Sequence, residues 1–162
     1  MGTSKARVRT IAADVSDNCL GLRARLVERV ISGVFDRHLR PHGLRITQMT
    51  VLTAVASFPQ LTPRALGQAL DLEKSTVSRT IDRMIERGWV EAVEVVDGRS
   101  YALRITTEGE SMLCTAYPAW KRAQAELEAL LGEPLVDGLG AVAARLNPGL
   151  GGDAVRPERS SS

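Results

Sequence analysis

In the middle of the chain the apolar positions change period twice, and the changes mark out a row of small elements. Over 62–72, Ala65, Leu66, Ala69 and Leu70 recur at helical spacing. Thr62 opens that run as a residue able to cap free N–H groups, and Pro63 takes the first helical position, which tolerates its missing donor. A tight turn at Asp71-Leu72 leads to a second helix over 73–88, with Val77, Ile81, Met84 and Ile85 on its inner face and Gly88 placed to end it. The pattern then turns β-rich. Segments 89–96 and 101–105 read as two strands, and Asp97-Gly98-Arg99-Ser100 between them carries the Asp-Gly signal of a hairpin turn.

The flanks read as longer helices. From 16 to about 39, Leu20, Leu22, Leu26, Val27, Val30, Ile31, Val34 and Phe35 form a stripe too wide for one small neighbour to cover. A helix over 47–58 turns Met49, Leu52, Val55 and Ala56 inward. Thr107 and Glu110 read as a capping box for a long helix carrying Leu113, Ala116, Tyr117, Trp120, Ala123, Leu127 and Leu130 on one face, with a kink expected at Pro118. A last helix from about Pro134 lines up Leu135, Leu139, Val142 and Leu146.

The predicted fold class is mainly α with a small β-hairpin wing. A winged helix-turn-helix occupies about 47–106 within a domain at 16–146, and helices at about 16–40 and 107–146 serve dimerisation. An isologous two-fold contact with a second copy suits those apolar faces, the competing arrangement being a helical cap within one monomer. Residues 1–15 read as a flexible arm and 147–162, rich in Gly, Pro and Ser, as a disordered tail. Lys5, Arg7 and Arg9 in the arm stand as DNA-backbone contacts or as solvated charges.

The outer face of the second helix carries the chemistry. Ser75, Arg79 and Arg83 recur every four residues, Thr76 and Ser78 flank them, and Lys74 stands at the helix start. Short hydroxyls and guanidinium forks suit base edges and phosphates. A helix of this kind fits the major groove, where an Arg bonding a guanine through two N–H groups contributes about 1–3 kcal/mol of discrimination. Arg79 is the residue placed for that role. Arg99, held at the hairpin tip, suits the narrow electronegative minor groove, and Asp97 suits the task of orienting it. Read alone, the helix face is also compatible with ordinary ion pairing to Asp82 and Glu86, and the tip with a plain soluble turn.

In their order, "LTPRALGQAL", "STVSRTIDRMIERGWV", "DGRS" and "LRITTEG" resemble the MarR family of bacterial transcriptional regulators, over about 19–146. The resemblance implies a homodimer with one winged helix per subunit, bound to a pseudo-palindromic double-stranded operator and repressing nearby genes. It also implies release of DNA by a small phenolic or lipophilic effector, or by cysteine oxidation. The wing here is shorter and less basic than is common in the family. Relatives bind effectors near the helix at 47–58. The residues matching that neighbourhood are Arg25, Arg29, Thr50 and Trp120, with ion pairing of the two Arg residues to Glu28 or Asp36 as the alternative. Cys19, near the start of the first helix, is the candidate for redox sensing.

Composition narrows the classes. With 162 residues, 44% of them hydrophobic, the chain can bury a core and retain apolar surface for a partner, and at 4% aromatics the packing falls to Ala, Leu and Val. Its 21 basic and 19 acidic residues leave a net charge of only +2, which excludes a polybasic coat on nucleic acid. Between Asp71 and Arg104 six basic residues face seven acidic ones, so phosphate affinity must come from a few well-placed Arg side chains and weaken steeply with salt. Two cysteines without a CxxC pair, and His38 and His42 without ligand neighbours, predict no metal and no cofactor. There is no nucleophile–base pair or phosphate loop of an enzyme, and no apolar run of the ~20 residues that span a bilayer. The expected setting is cytoplasmic. A winged helix reused as a protein–protein module is the alternative function.

Overall fold

The computed structural model describes residues 2–94 and 101–146. The wing tip with Asp97 and Arg99, and the tail from 147, lie outside the described residues. The elements run α1 (Gly2–Asn18), α2 (Leu20–Leu39), a 3-10 turn (Arg40–His42), α3 (Ile46–Ser57), α4 (Pro63–Leu70), α5 (Lys74–Glu86), β1 (Val90–Glu94), β2 (Tyr101–Ile105), α6 (Thr107–Leu131) and α7 (Glu133–Leu146). β1 and β2 form an antiparallel pair with Val90 opposite Ile105 and Glu94 opposite Tyr101. A further bridge joins Leu61 to Leu103, whose N–H donates to the Leu61 carbonyl at 2.8 Å.

One core ties these elements together. Leu39 of α2, Leu52 of α3, Leu66 of α4, Met84 of α5 and Leu103 of β2 are buried, each such side chain contributing about 1.5–3 kcal/mol through lost contact with water. α6 enters the core by a row of small residues: Ala116, Ala119 and Ala123 are fully buried, so its backbone can lie close against α2 and α3. On α5 the structure buries Val77, Ile81 and Met84 but leaves Ile85 partly exposed, because Ile85 sits at the edge of the inner stripe. On α3, Val51 and Ala54 join Met49, Leu52 and Val55 inside, whereas Ala56 faces out, since this helix is packed on two sides.

Local chemistry sets the boundaries. Thr62 Oγ1 accepts from Ala65 N–H at 3.2 Å, and Pro63 opens α4. Asp71 ends α4 in the left-handed region at φ 49°, a conformation that Asp tolerates better than most residues. The start of α3 is held from two sides: Asp36 of α2 accepts from Ile46 N–H at 2.8 Å, and Gln48 accepts from Arg45 N–H at 3.0 Å. Gly88, at φ 70°, closes α5, with its own N–H donating to the Ile85 carbonyl and that of Trp89 to the Met84 carbonyl.

Two expectations are corrected. The cap of α6 is Thr106, one residue before the Thr107–Glu110 pair. Its hydroxyl accepts from Gly109 N–H at 3.0 Å and donates to the Gly88 carbonyl, a partner that folding supplies from the end of α5. Residues 2–15, read as part of a flexible arm, form with 16–18 the helix α1, and the long helix read from 16 starts instead at Leu20, after Cys19, where φ −70° and ψ 110° interrupt the helical path. Val8, Ile11, Ala12 and Val15 at helical spacing, with no Pro and no Gly after Gly2, account for it.

The C-terminal part of α2 is fastened to α6 by polar contacts as well. Glu126 accepts from Arg37, and also from His38 Nε2 at 2.8 Å, the ring nitrogen acting as donor because an ionised carboxylate only accepts. These hydrogen bonds, His38 first and Arg37 second, hold the Glu126 carboxyl below its ordinary value of 4.5. A carboxylate with a lowered pKa in the fold stabilises it above 4.5 and loses that contribution as the pH falls through the lowered value. Glu126→Gln is therefore expected to lower stability near neutrality and to flatten its fall as the pH drops below 4.5, the two proteins converging between neutral and acid pH. Urea midpoints measured across that range check it.

Candidate nucleic-acid interface

Burial of Val77, Ile81 and Met84 fixes how α5 is rotated on the core, and the rotation decides what faces outward. Lys74, Ser75, Ser78, Arg79, Asp82 and Arg83 are exposed, and Thr76 and Thr80 lie half-buried at the margin. Arg79 is not splayed into solvent. Its Nε donates to the Ser75 carbonyl at 3.0 Å, and Nη2 to Ser75 Oγ at 3.3 Å, so the guanidinium lies back toward the helix start as long helical side chains do. Ser78 Oγ donates to Asp82 at 3.4 Å, and Thr80 Oγ1 to the Thr76 carbonyl at 2.8 Å. No side-chain hydrogen bond caps the start of α5, which leaves the positive end of its dipole available to an anion.

A groove runs along each side of this helix. On one flank Thr76, Thr80 and Arg83 share a polar groove with Arg45, Thr47 and Gln48 from the start of α3. Arg87 closes its end: Nη1 donates to the Gly43 carbonyl at 2.7 Å, and the guanidinium stacks 4.9 Å over the Trp89 ring. On the other flank Lys74 and Ser78 share a crevice with Arg64 and Gln68 of α4 and with Tyr101 of β2. Lys74, Ser75, Thr76, Ser78, Arg79 and Arg83 are thus gathered on one helix. Arg45, Thr47, Gln48, Thr80 and Arg64 were not singled out from the sequence. The Gln48 cap in "RITQ" is the one local sign that a helix starts there; the pairing of α3 with α5 is a tertiary fact.

The charges near the hairpin also sort themselves. Arg104 Nε donates to Glu91 at 2.7 Å across the strand pair, so these two offset each other away from the α5 face. The even balance over 71–104 therefore conceals a local asymmetry. The α3–α5 groove holds Arg45, Arg83 and Arg87 against Glu86 alone.

The other candidate residues lie apart from α5. Arg25 and Arg29 are exposed on α2, and Thr50 on α3 donates to the Ile46 carbonyl at 2.9 Å. Trp120 stacks between Phe35 and Tyr117, with ring centroids at 6.3 and 5.9 Å, and fills the α2–α6 junction. None of these four side chains lines the two grooves beside α5, the crevice between α3 and the hairpin or the apolar strip on α1. Cys19 is half-buried at the start of α2 without a side-chain capping bond, and Cys114 is exposed on α6.

Residues 42–100 match the model of the MarR family. The chain is 33% identical over 82 residues to the uncharacterized HTH-type transcriptional regulator YwoH of Bacillus subtilis, an alignment spanning 51% of this chain and 60% of YwoH. It is 26% identical over 94 residues to the multiple antibiotic resistance protein MarR of Escherichia coli, spanning 57% of this chain and 65% of that protein. The chain thus aligns with less than two thirds of the length of these curated relatives. A structure of the M. tuberculosis transcriptional regulator MosR in complex with DNA superposes with a TM-score of 0.70 at 26% identity, covering 81% of this chain and 98% of that one. The order of helices, the paired strands and the matched segment agree: residues 42–100 are similar to the MarR family, and the chain has the winged helix-turn-helix fold of its transcriptional regulators.

Proposed function

We propose that this protein is a sequence-specific DNA-binding regulator of transcription, working in the cytoplasm as a homodimer on a pseudo-palindromic operator. The observation that carries the reading is the rotation of α5, which turns Ser75, Ser78, Arg79 and Arg83 outward between two grooves rich in guanidinium and hydroxyl groups. The DNA complex of MosR, a structure of the same fold, supports it.

In this reading α5 lies in the major groove. Its start reaches the base edges, with Lys74, Ser75 and Ser78 nearest the duplex and Arg79 paired to a guanine. Ser75 already restricts the Arg79 side chain, which reduces the conformational freedom lost on binding. Arg83, Arg45 and Arg64 hold phosphates on either side. Thr76 shapes the groove wall, and Arg99, supported by Asp97, reaches the minor groove.

The apolar surface left on α2, α6 and α7 supports the dimer. Leu20, Leu26, Leu130 and Leu146 are 78, 61, 60 and 80% exposed, and a two-fold contact covers them while setting the two α5 helices one DNA turn apart, about 34 Å. Repression follows where the operator overlaps a promoter. Release by a small aromatic or lipophilic effector would engage Arg25 and Arg29 of α2, Thr50 of α3 and Trp120 of α6. No helix among the described residues is long and apolar enough to cross a membrane.

Fluorescence anisotropy with the DNA upstream of the protein's own gene, against a scrambled duplex and across a salt series, tests the reading. Tight binding to the natural duplex is expected, with log K falling linearly in log salt. Equal and weak binding to both duplexes would overturn it and bring forward a protein partner for the same face.

A further inference from the structure

Helix α1 carries its charges the wrong way round for a solitary helix. Lys5, Arg7 and Arg9 occupy its first half and Asp14 and Asp17 its last, with no acidic residue in the first turn and no basic residue in the last. A helix is electropositive at its start and electronegative at its end, so both groups oppose the dipole of the helix that bears them. Every residue from Ser4 to Asn18 is exposed. Val8, Ile11 and Val15 are 61, 54 and 53% exposed on one stripe, and with Ala12 and Leu22 of α2 they line a shallow apolar strip. Leu22 stands one helical turn before Leu26, which belongs to the exposed apolar surface assigned above to the dimer.

A helix with one apolar stripe, basic in its first half and acidic in its last, is complementary to itself when reversed. We propose that α1 pairs antiparallel with α1 of a second copy, crossing near Ile11 and covering the Val8–Val15 stripe. Arg7 then lies beside the partner's Asp14 on one flank of the contact, with Lys5 and Arg9 opposite the acidic half as a whole, and two-fold symmetry makes the contact twice. Each basic end also meets the electronegative end of the opposing helix, which removes the conflict that the isolated helix carries. A parallel pair would set like charges side by side. A DNA backbone suits the basic half but is repelled by Asp14 and Asp17, and an anionic membrane surface requires basic residues along the whole polar face. The second copy alone suits both halves.

This inference rests on the homodimer reading, and the test separates the two. In the full chain carrying Cys19→Ser and Cys114→Ser, Ile11→Cys is expected to give a disulfide-linked dimer on mild oxidation. In sedimentation equilibrium, Arg7→Glu/Arg9→Glu and Asp14→Lys/Asp17→Lys are each expected to weaken dimerisation about tenfold, and an equimolar mixture of the two to restore it as a heterodimer. A wild-type dimer that neither cross-links through position 11 nor responds to the charge reversals overturns the α1 pairing and leaves the dimer standing. A chain that is monomeric throughout overturns both. Loss of DNA affinity in the Arg7/Arg9 variant with dimerisation unchanged also overturns the pairing, and assigns the basic half to phosphate contact.

Discussion

Gly109→Ala is expected to destabilise the fold by about 3 kcal/mol, the upper part of the range for forcing extra volume into a packed site. A Cβ at this position would overlap the Trp89 carbonyl oxygen and come within 2.8 Å of Ile105 Cγ1. The first of these is backbone and cannot turn aside. Relief requires the start of α6 to move off the hairpin, and the bonds made by Thr106 to Gly88 and Gly109 would be lost with it. The same substitution at Gly33, in the middle of α2 with nothing within 4 Å of the added carbon, is expected to stabilise by about 0.5–1 kcal/mol through helix propensity. Urea unfolding of the two variants side by side checks the pair. A loss at Gly109 below about 0.5 kcal/mol would show that α6 shifts freely, against the junction described above.

The second large effect concerns α5. Arg79→Ala is expected to lower discrimination between the operator and single-base variants of it by about ten- to a hundredfold, the worth of one bidentate guanine contact, with a much smaller loss on unrelated duplexes. Arg83→Ala, in the groove shared with Arg45, is expected to weaken binding to all duplexes alike and to reduce the slope of log K against log salt by about one. Anisotropy titrations against a panel of point-mutated operators distinguish the patterns. If Arg79→Ala weakens every duplex equally, the residue holds phosphate and the base-reading role passes to Ser75 and Ser78.

The helix-turn-helix was legible because each of its boundaries is written locally. Thr62 and Pro63 start α4, Gly88 ends α5, and Val77, Ile81 and Met84 leave little doubt which side of α5 is inside. What depended on distant partners was harder to read. The Thr107–Glu110 spacing pointed one residue too far for the cap of α6, because Thr106 is selected by the Gly88 carbonyl, eighteen residues upstream in the chain. The groove formed by Arg45, Gln48 and Thr80 exists only because α3 packs beside α5, with Arg87 reaching back to Gly43. The helicity of α1 was hidden for another reason: its apolar stripe is exposed along its length, so no core position anchors the pattern.

Thr106 is fastened in two directions, its hydroxyl held by the end of α5 while it caps the start of α6. In the proposed dimer this joins each reading head to the dimer helices without slack. An extra base pair between half-sites displaces one of them by about 3.4 Å and turns it by about a tenth of a turn, a mismatch that such a joint does not absorb. The strain then falls on the duplex. Operators with the wrong spacing are rejected through the stiffness of DNA itself, at positions no side chain touches.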